Sequence, residues 1–243
     1  SDSEFQKYKG INIIRINSPA MDQKFKKGIY DSFYAINHFH RLFYSSILNY
    51  HKEYHFNFIH VHDLPLAKTA RKAAERLKLP YVIDFHENYA EGLKIWFKWR
   101  TNKIIRLKNT IFFNYKKWSK YERKESLKAD HIIAVVKEMK NRLVNEYSLN
   151  EKKVTVISNT EYLDFHKNTK EVDLPENLKN KFLITYIGGI GPHRGIDTAV
   201  EGMSIIKNSH KDAVLLIIGG GSKEVINKLR SIIDEKNLHE NVI

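Results

Sequence analysis

The residues best suited to chemistry fall in two separated stretches. In the first, residues 84–89 read DFHENY and residues 60–63 read HVHD. A histidine placed where a buried strand emerges can donate to a ligand hydroxyl or to charge developing in a transition state. His86 is therefore the candidate catalytic residue, with Glu87 beside it. In a strand, residues 60 and 62 point the same way, so His60 and His62 followed by Asp63 look like a first pair of metal ligands. Such a site needs more ligands from later strand ends. His86 is one candidate, but no HxxH or acidic cluster follows, and no bound metal is expected.

The second stretch, residues 181–221, reads as strand, glycine-rich turn, helix, strand, glycine-rich turn. The apolar run 183–187 stops at Gly188 and Gly189, and the run 213–218 stops at Gly219, Gly220 and Gly221. Ile196, Ala199, Val200, Met203 and Ile206 recur at helical spacing between them. A phosphate approaching a strand-to-helix turn needs backbone without Cβ, free amides at the helix start, and a cation. Gly188, Gly189, Gly191, Arg194 and Gly195 supply these, with Gly220 at the neighbouring strand end. The spacing is neither the dinucleotide GxGxxG nor a P-loop ending in GK[ST]. An ordinary tight turn whose glycines serve geometry alone is the competing reading.

The elements that must position these residues read as repeated βα units, and hence as a mostly parallel sheet. Strands are predicted at 11–16, 58–61, 81–85, 131–135 and 154–157. Helices are predicted over 29–48 and 66–77, and around Met139, Leu143 and Val144. Residues 160–180 are polar and without periodicity, which predicts a linker at 161–180 between domains at 1–160 and 181–243. After a helix at 225–233 the last residues, ENVI, read as the start of a third strand of the second domain.

Composition narrows the classes. The 243 residues are 42% hydrophobic, enough for real cores, and contain no cysteine, which excludes disulfides and thiolate chemistry. There is no run of about 18 uncharged apolar residues, and the N-terminus lacks a signal-peptide layout, so a cytoplasmic location is expected. Lys and Arg number 41 against 28 Asp and Glu, a net charge of +13 and a pI near 9.6, which favours polyanionic partners. Basic residues concentrate between 94 and 128, among Trp96, Phe97, Trp99, Arg100, Phe112, Phe113, Tyr115 and Trp118. Three readings fit: a helical hairpin with aromatics in its core, a surface that meets anionic lipid through Trp96, Trp99 and Arg100, or a nucleic-acid surface.

The phrases YIGGIGPHRGIDTAVEG and AVLLIIGGG resemble the start of the donor-binding domain of family 4 glycosyltransferases, and DFHENY, ESLKADHIIAVV and KVTVISNT resemble phrases of the preceding domain. The resemblance implies an α/β, GT-B-like fold of two Rossmann-like parallel-sheet domains. The N-terminal domain is then the acceptor side, and the C-terminal domain, the start of the nucleotide-sugar donor side, is incomplete. It implies transfer of a sugar from a nucleotide-diphosphate donor to a hydroxyl of a glycan or lipid-linked acceptor, with retention and with no cofactor. Cell-envelope polysaccharide is the expected product class, and peripheral membrane association the expected setting. By the same resemblance His86 is catalytic and His62, Asp63 and Glu87 line the acceptor-side cleft. Gly188, Gly189, Gly191, Arg194, Gly195 and Gly220 hold the donor. Gly189 stands where an arginine is more usual. The family's opening glycine-rich loop and its glutamate pair separated by seven residues are missing, so the chain reads as truncated at both ends. The alternatives are a non-catalytic nucleotide-sugar-binding or scaffold module and a basic nucleic-acid-binding protein, nucleic acid being the less favoured partner.

Overall fold

The computed structural model describes residues 5–16, 37–96, 103–161, 163–164, 167 and 173–243. The chain divides into two compact units, one of residues 1–93 with 107–160 and the other of 94–106 with 161–243.

The first unit opens with a hairpin, β1 (Phe5–Tyr8) against β2 (Ile11–Ile14), antiparallel in the register Tyr8↔Ile11. Lys9 and Gly10 both have positive φ, 47° and 83°, as a two-residue hairpin turn demands. The strand predicted at 11–16 is thus present but pairs locally and antiparallel instead of joining a parallel sheet. Of the helix predicted over 29–48, residues 29–36 lie outside the described residues. The described helix, α1, is Arg41–Tyr54. It starts there because the His40 ring accepts the Phe43 amide, and it runs past 48 because nothing stops it before His55 turns left-handed (φ 48°).

Next come β3 (Ile59–His62), α2 (Ala67–Leu77) and β4 (Tyr81–Phe85). After them in the chain come α3 (Tyr89–Trp96) and α4 (Lys103–Phe112), of which residues 94–96 and 103–106 are assigned to the second unit, and then α5 (Tyr115–Lys128). The unit closes with β5 (His131–Ala134), α6 (Lys137–Tyr147) and β6 (Val154–Val156). The sheet is parallel in the order β3-β4-β5-β6. One face carries Ile59, Val61, Tyr81, Ile83, Phe85, Ile132 and Ala134, all buried. Ala70, Ala73 and Ala74 are small and buried on α2, so that helix can approach closely. It ends where Lys78 turns left-handed and Pro80 removes the next amide. The other face, by strand alternation, carries His60, His62, Val82, Asp84, His131 and Ile133. It is the more polar face, and His60 and His62 are exposed on it.

Two carboxylates tie the helical layer and the strand starts. Asp130 Oδ2 accepts the Tyr81 amide at 2.8 Å, fixing where β4 begins. Glu125 on α5 is fully buried and takes two hydrogen bonds from Arg71 of α2. Trp118, 1% exposed, packs edge-on to Tyr121 and stacks on Phe113, so these aromatics of the basic stretch are core. Trp99 and Arg100 lie outside the described residues.

The second unit holds β7 (Phe182–Ile187), α7 (Ile196–Ser209), β8 (Ala213–Ile218) and α8 (Lys223–Glu235). β7 and β8 are parallel from Phe182↔Ala213 to Ile187↔Ile218. The final residues do begin a third strand: Val242 bridges Leu215 in parallel, the Ile243 amide donates to the Leu215 carbonyl at 3.0 Å, and the Leu215 amide donates to the Asn241 carbonyl at 2.8 Å. The core is Ile196, Val200, Met203, Leu215, Leu229, Leu238 and Val242. No described helix is long and apolar enough to cross a membrane.

Candidate functional site

Each unit places its candidate residues at the carboxyl ends of parallel strands, where open α/β sheets bind ligands. In the first unit β3 ends at His62 and β4 at Phe85, so HVHD and DFHENY leave the sheet side by side. Asp63 adopts a left-handed conformation (φ 58°), which a short polar side chain tolerates. Its amide donates to the Asp84 carbonyl at 2.8 Å, and its carboxylate accepts the His86 amide at 2.9 Å. Asp63 therefore fixes the backbone from which His86 projects.

Side chains converge on Asp84, which the sequence reading passed over as a strand residue. Its Oδ2 lies 3.1 Å from His60 Nε2, 3.7 Å from His62 Nε2 and 3.1 Å from His86 Nε2. The His60 contact has hydrogen-bond geometry. The His86 contact does not, and its Nε2 is buried without a hydrogen-bond partner. The His62 ring stacks on both neighbours, 5.4 Å from His60 and 4.4 Å from His86. The signal was in the sequence: Asp84 is two residues before His86 and, once β3 and β4 align, directly beside His62. Glu87 is exposed. Tyr89 is half-buried nearby, and its partial burial, then Glu87 and Asp63, pushes its hydroxyl up to about 12.

In the second unit the turn after β7 is built from close backbone packing. Gly188 donates to Ile218 at 3.0 Å and Ile190 to Gly220 at 2.8 Å. A Cβ on Gly219 would run into the Gly188 carbonyl, and one on Gly221 into that of Ile190. Those two glycines answer to the approach of the two strand ends. Gly189 and Gly220 are different: a Cβ there meets nothing within 4 Å. Gly195 (φ 68°) precedes α7, which has no side-chain cap, and Arg194 is exposed with no ion-pair partner among the described residues. Backbone amides and a guanidinium thus stand together at a helix start, the combination that suits an anion. Below the turn a hollow is lined by Ile190, Pro192, Ile196, Val225 and Leu229, with the Asp197–Lys228 pair (3.3 Å).

Comparison with known folds and families fits this architecture. Sucrose-phosphate synthase from Thermosynechococcus elongatus is similar over 100% of this chain and 56% of its own, with a TM-score of 0.69 and 15% identity. A glycosyltransferase from Rickettsia africae is similar over 87% of this chain and 50% of its own (TM-score 0.59, 19% identity). Anabaena HepE in complex with UDP and glucose is similar over 83% and 50% (TM-score 0.57, 12% identity). The chain spans about half the length of these proteins. Comparison with curated protein sequences gives no match. The fold class is α/β of the GT-B type. The profile described as Glycosyltransferase Family 4 matches residues 18–160, more than half of the chain, and the protein belongs to that family.

Proposed function

We propose that this protein acts in transfer of a sugar from a nucleotide-diphosphate donor to a hydroxyl of a glycan or lipid-linked acceptor, with retention. The observation that carries the reading is the family match across residues 18–160, the segment in which His86 emerges from β4. In the reaction the bond from the sugar C1 to the diphosphate breaks, the acceptor oxygen bonds to C1, and the hydroxyl proton leaves with the diphosphate or to water. His86 donates to the donor sugar, where a fixed dipole stabilises developing charge. Asp63 positions His86, and His62 and Glu87 line the acceptor side. Arg194 and the amides from Gly188 to Gly195, with Gly220, hold the diphosphate. This assigns residues 1–160 to the acceptor side and 181–243 to the donor side, joined by 161–180.

Support for a diphosphate comes from the exposed Arg194, without an ion-pair partner among the described residues, at the start of α7, which has no side-chain cap, and from HepE, whose solved structure holds UDP. The transfer needs no metal in this reading. For membrane association the support is α4, which exposes Leu107 (64%) and Ile111 (48%) four residues apart in the basic stretch. The cytoplasmic face of a membrane, with anionic lipid, suits the net charge of +13.

A second reading, a binding module without turnover, is favoured by Gly189. Family members more often have a cation there, and here the carbonyl is engaged by the Tyr186 hydroxyl at 2.7 Å. Calorimetry with UDP and GDP on wild type and Arg194→Ala tests the phosphate site, and release of sugar from UDP- and GDP-sugars tests turnover. Saturable binding that weakens in the variant, with turnover, supports the transferase. Binding without turnover supports the module, and no binding removes both.

A further inference from the structure

We propose that His60, His62 and Asp84 form a binding site for one divalent transition cation of the zinc type on the β3–β4 face. Strand alternation puts both histidines on one side, and the register sets Asp84 beside His62. Their ligating atoms all lie within 4.8 Å of one another, with Asp84 Oδ2 at 3.1 Å from His60 and 3.7 Å from His62. Zinc holds imidazole nitrogen and carboxylate oxygen at about 2.0–2.1 Å, which separates ligands by about 3.3 Å along the edge of a tetrahedron. The two Asp84 distances already sit near that spacing. The two rings are 38% and 67% exposed, so they adjust at little cost and leave a position open to water.

The carboxylate is the anchor. Its side chain is 11% exposed, and a single oxygen faces three imidazole nitrogens. That oxygen has two lone-pair directions, and the buried His86 Nε2 is left without a hydrogen bond. A cation placed between His60, His62 and Asp84 replaces this crowded arrangement with two imidazole bonds and one carboxylate bond. The donor set selects ions that accept nitrogen, such as zinc, nickel and copper, over magnesium and calcium, which prefer oxygen. The site stands independently of the transferase reading. The bound ion uses the same oxygen that lies 3.1 Å from His86 Nε2, so the site and His86 share one carboxylate.

The test is calorimetric titration of Zn²⁺ into the full 243-residue chain, wild type and the variants His60→Ala, His62→Ala and Asp84→Asn, each checked for native circular dichroism. The expected result is one saturable site per chain, weakened by at least about tenfold in each variant, since even outer partners of a metal ligand are worth 10–100-fold. Mg²⁺ gives no binding heat. Absence of saturable zinc binding in wild type overturns the proposal. So does binding as tight in His60→Ala and His62→Ala as in wild type, which places the ion on other histidines among the 12. The two histidine variants decide the question even if Asp84→Asn fails to fold, because both rings project toward solvent.

Discussion

Arg71 and Glu125 offer the sharpest energetic test of how the first unit holds its strands. The two residues are 54 positions apart, on α2 and α5, and their side chains are 5% and 0% exposed. Nε meets Oε2 at 2.6 Å and Nη2 meets Oε1 at 3.2 Å, a two-point contact between planar groups. Burial alone would lower the Arg71 pKa, but the hydrogen bond and charge of Glu125, then of Glu75, carry it above its ordinary value. Glu125→Leu removes the buried partner and leaves the guanidinium with only the half-exposed Glu75. Breaking a buried pair from one side costs about 3–5 kcal/mol. Glu75 still offers part of the compensation, so the lower end applies, about 3 kcal/mol. For a protein of this size that lowers Tm by about 6–12 °C.

Arg71→Met with Glu125→Leu removes both charges and fills the same space with apolar atoms, a change that is often neutral or stabilising in other buried pairs. The double variant therefore recovers most of the loss. Urea unfolding followed by far-UV circular dichroism and by tryptophan fluorescence, to which the buried Trp118 contributes, measures all four corners of the cycle. A Glu125→Leu cost under about 1 kcal/mol, or a double variant as unstable as the single, refutes the reasoning. Either result would mean that the pair is not desolvated in the way its burial indicates.

Three further outcomes follow from the same kind of argument. His38 is held against Tyr121 (ring centroids 3.9 Å apart) and edge-on to Trp118, and burial, then Lys68, lowers its pKa from 6.5 to about 4. The unfolded chain therefore binds more protons between those values, so stability present above pH 6.5 is lost as pH falls towards 4. The loss from pH 7 to pH 4.5 is about 2 kcal/mol or less at 1.36 kcal/mol per pKa unit, given the ring's partial exposure, and urea midpoints of His38→Phe show a shallower pH dependence than wild type. Gly219→Ala forces a Cβ against the Gly188 carbonyl and destabilises the second unit by about 1–3 kcal/mol, whereas Gly189→Ala, which meets nothing, leaves it unchanged in the same thermal melt. Gly189→Arg restores the cation more usual in the family. Under the proposed diphosphate role of this turn, it tightens UDP binding by about tenfold or more, at 1.5–3 kcal/mol for a charged hydrogen bond, and unchanged affinity shows that the turn does not face the diphosphate.

What the sequence made legible was whatever is encoded by short-range period and punctuation. β4 runs over Tyr81–Phe85 as expected, because an apolar run bounded by Pro80 and the polar His86 has one reading. The C-terminal ENVI was readable as a strand for the same reason, and Val242 pairs with Leu215. The hairpin of β1 and β2 was missed because residues 5–10, FQKYKG, are polar and carry no apolar run to signal a strand, and only the two positive φ values at Lys9 and Gly10 reveal its turn. Asp84 was missed for a different reason. Its environment is made by a neighbouring strand, and the register Asp84↔His62 cannot be obtained from either segment alone. Pattern reading pairs His60 and His62 with the adjacent Asp63 and takes Asp84 as one more strand residue. Once the strands are parallel and in register, His60, His62 and Asp84, with His86, become one polar cluster at the carboxyl end of the sheet. Arg71 and Glu125 teach the same point in the core, since each looks like a solvent-facing charge in its own helix and becomes buried only when α2 and α5 meet. Long-range pairing of polar groups, and not the apolar pattern, is thus what distinguishes this sheet end from an ordinary βα scaffold. The first variants made should change Asp84, His62 and Glu125 before any apolar residue.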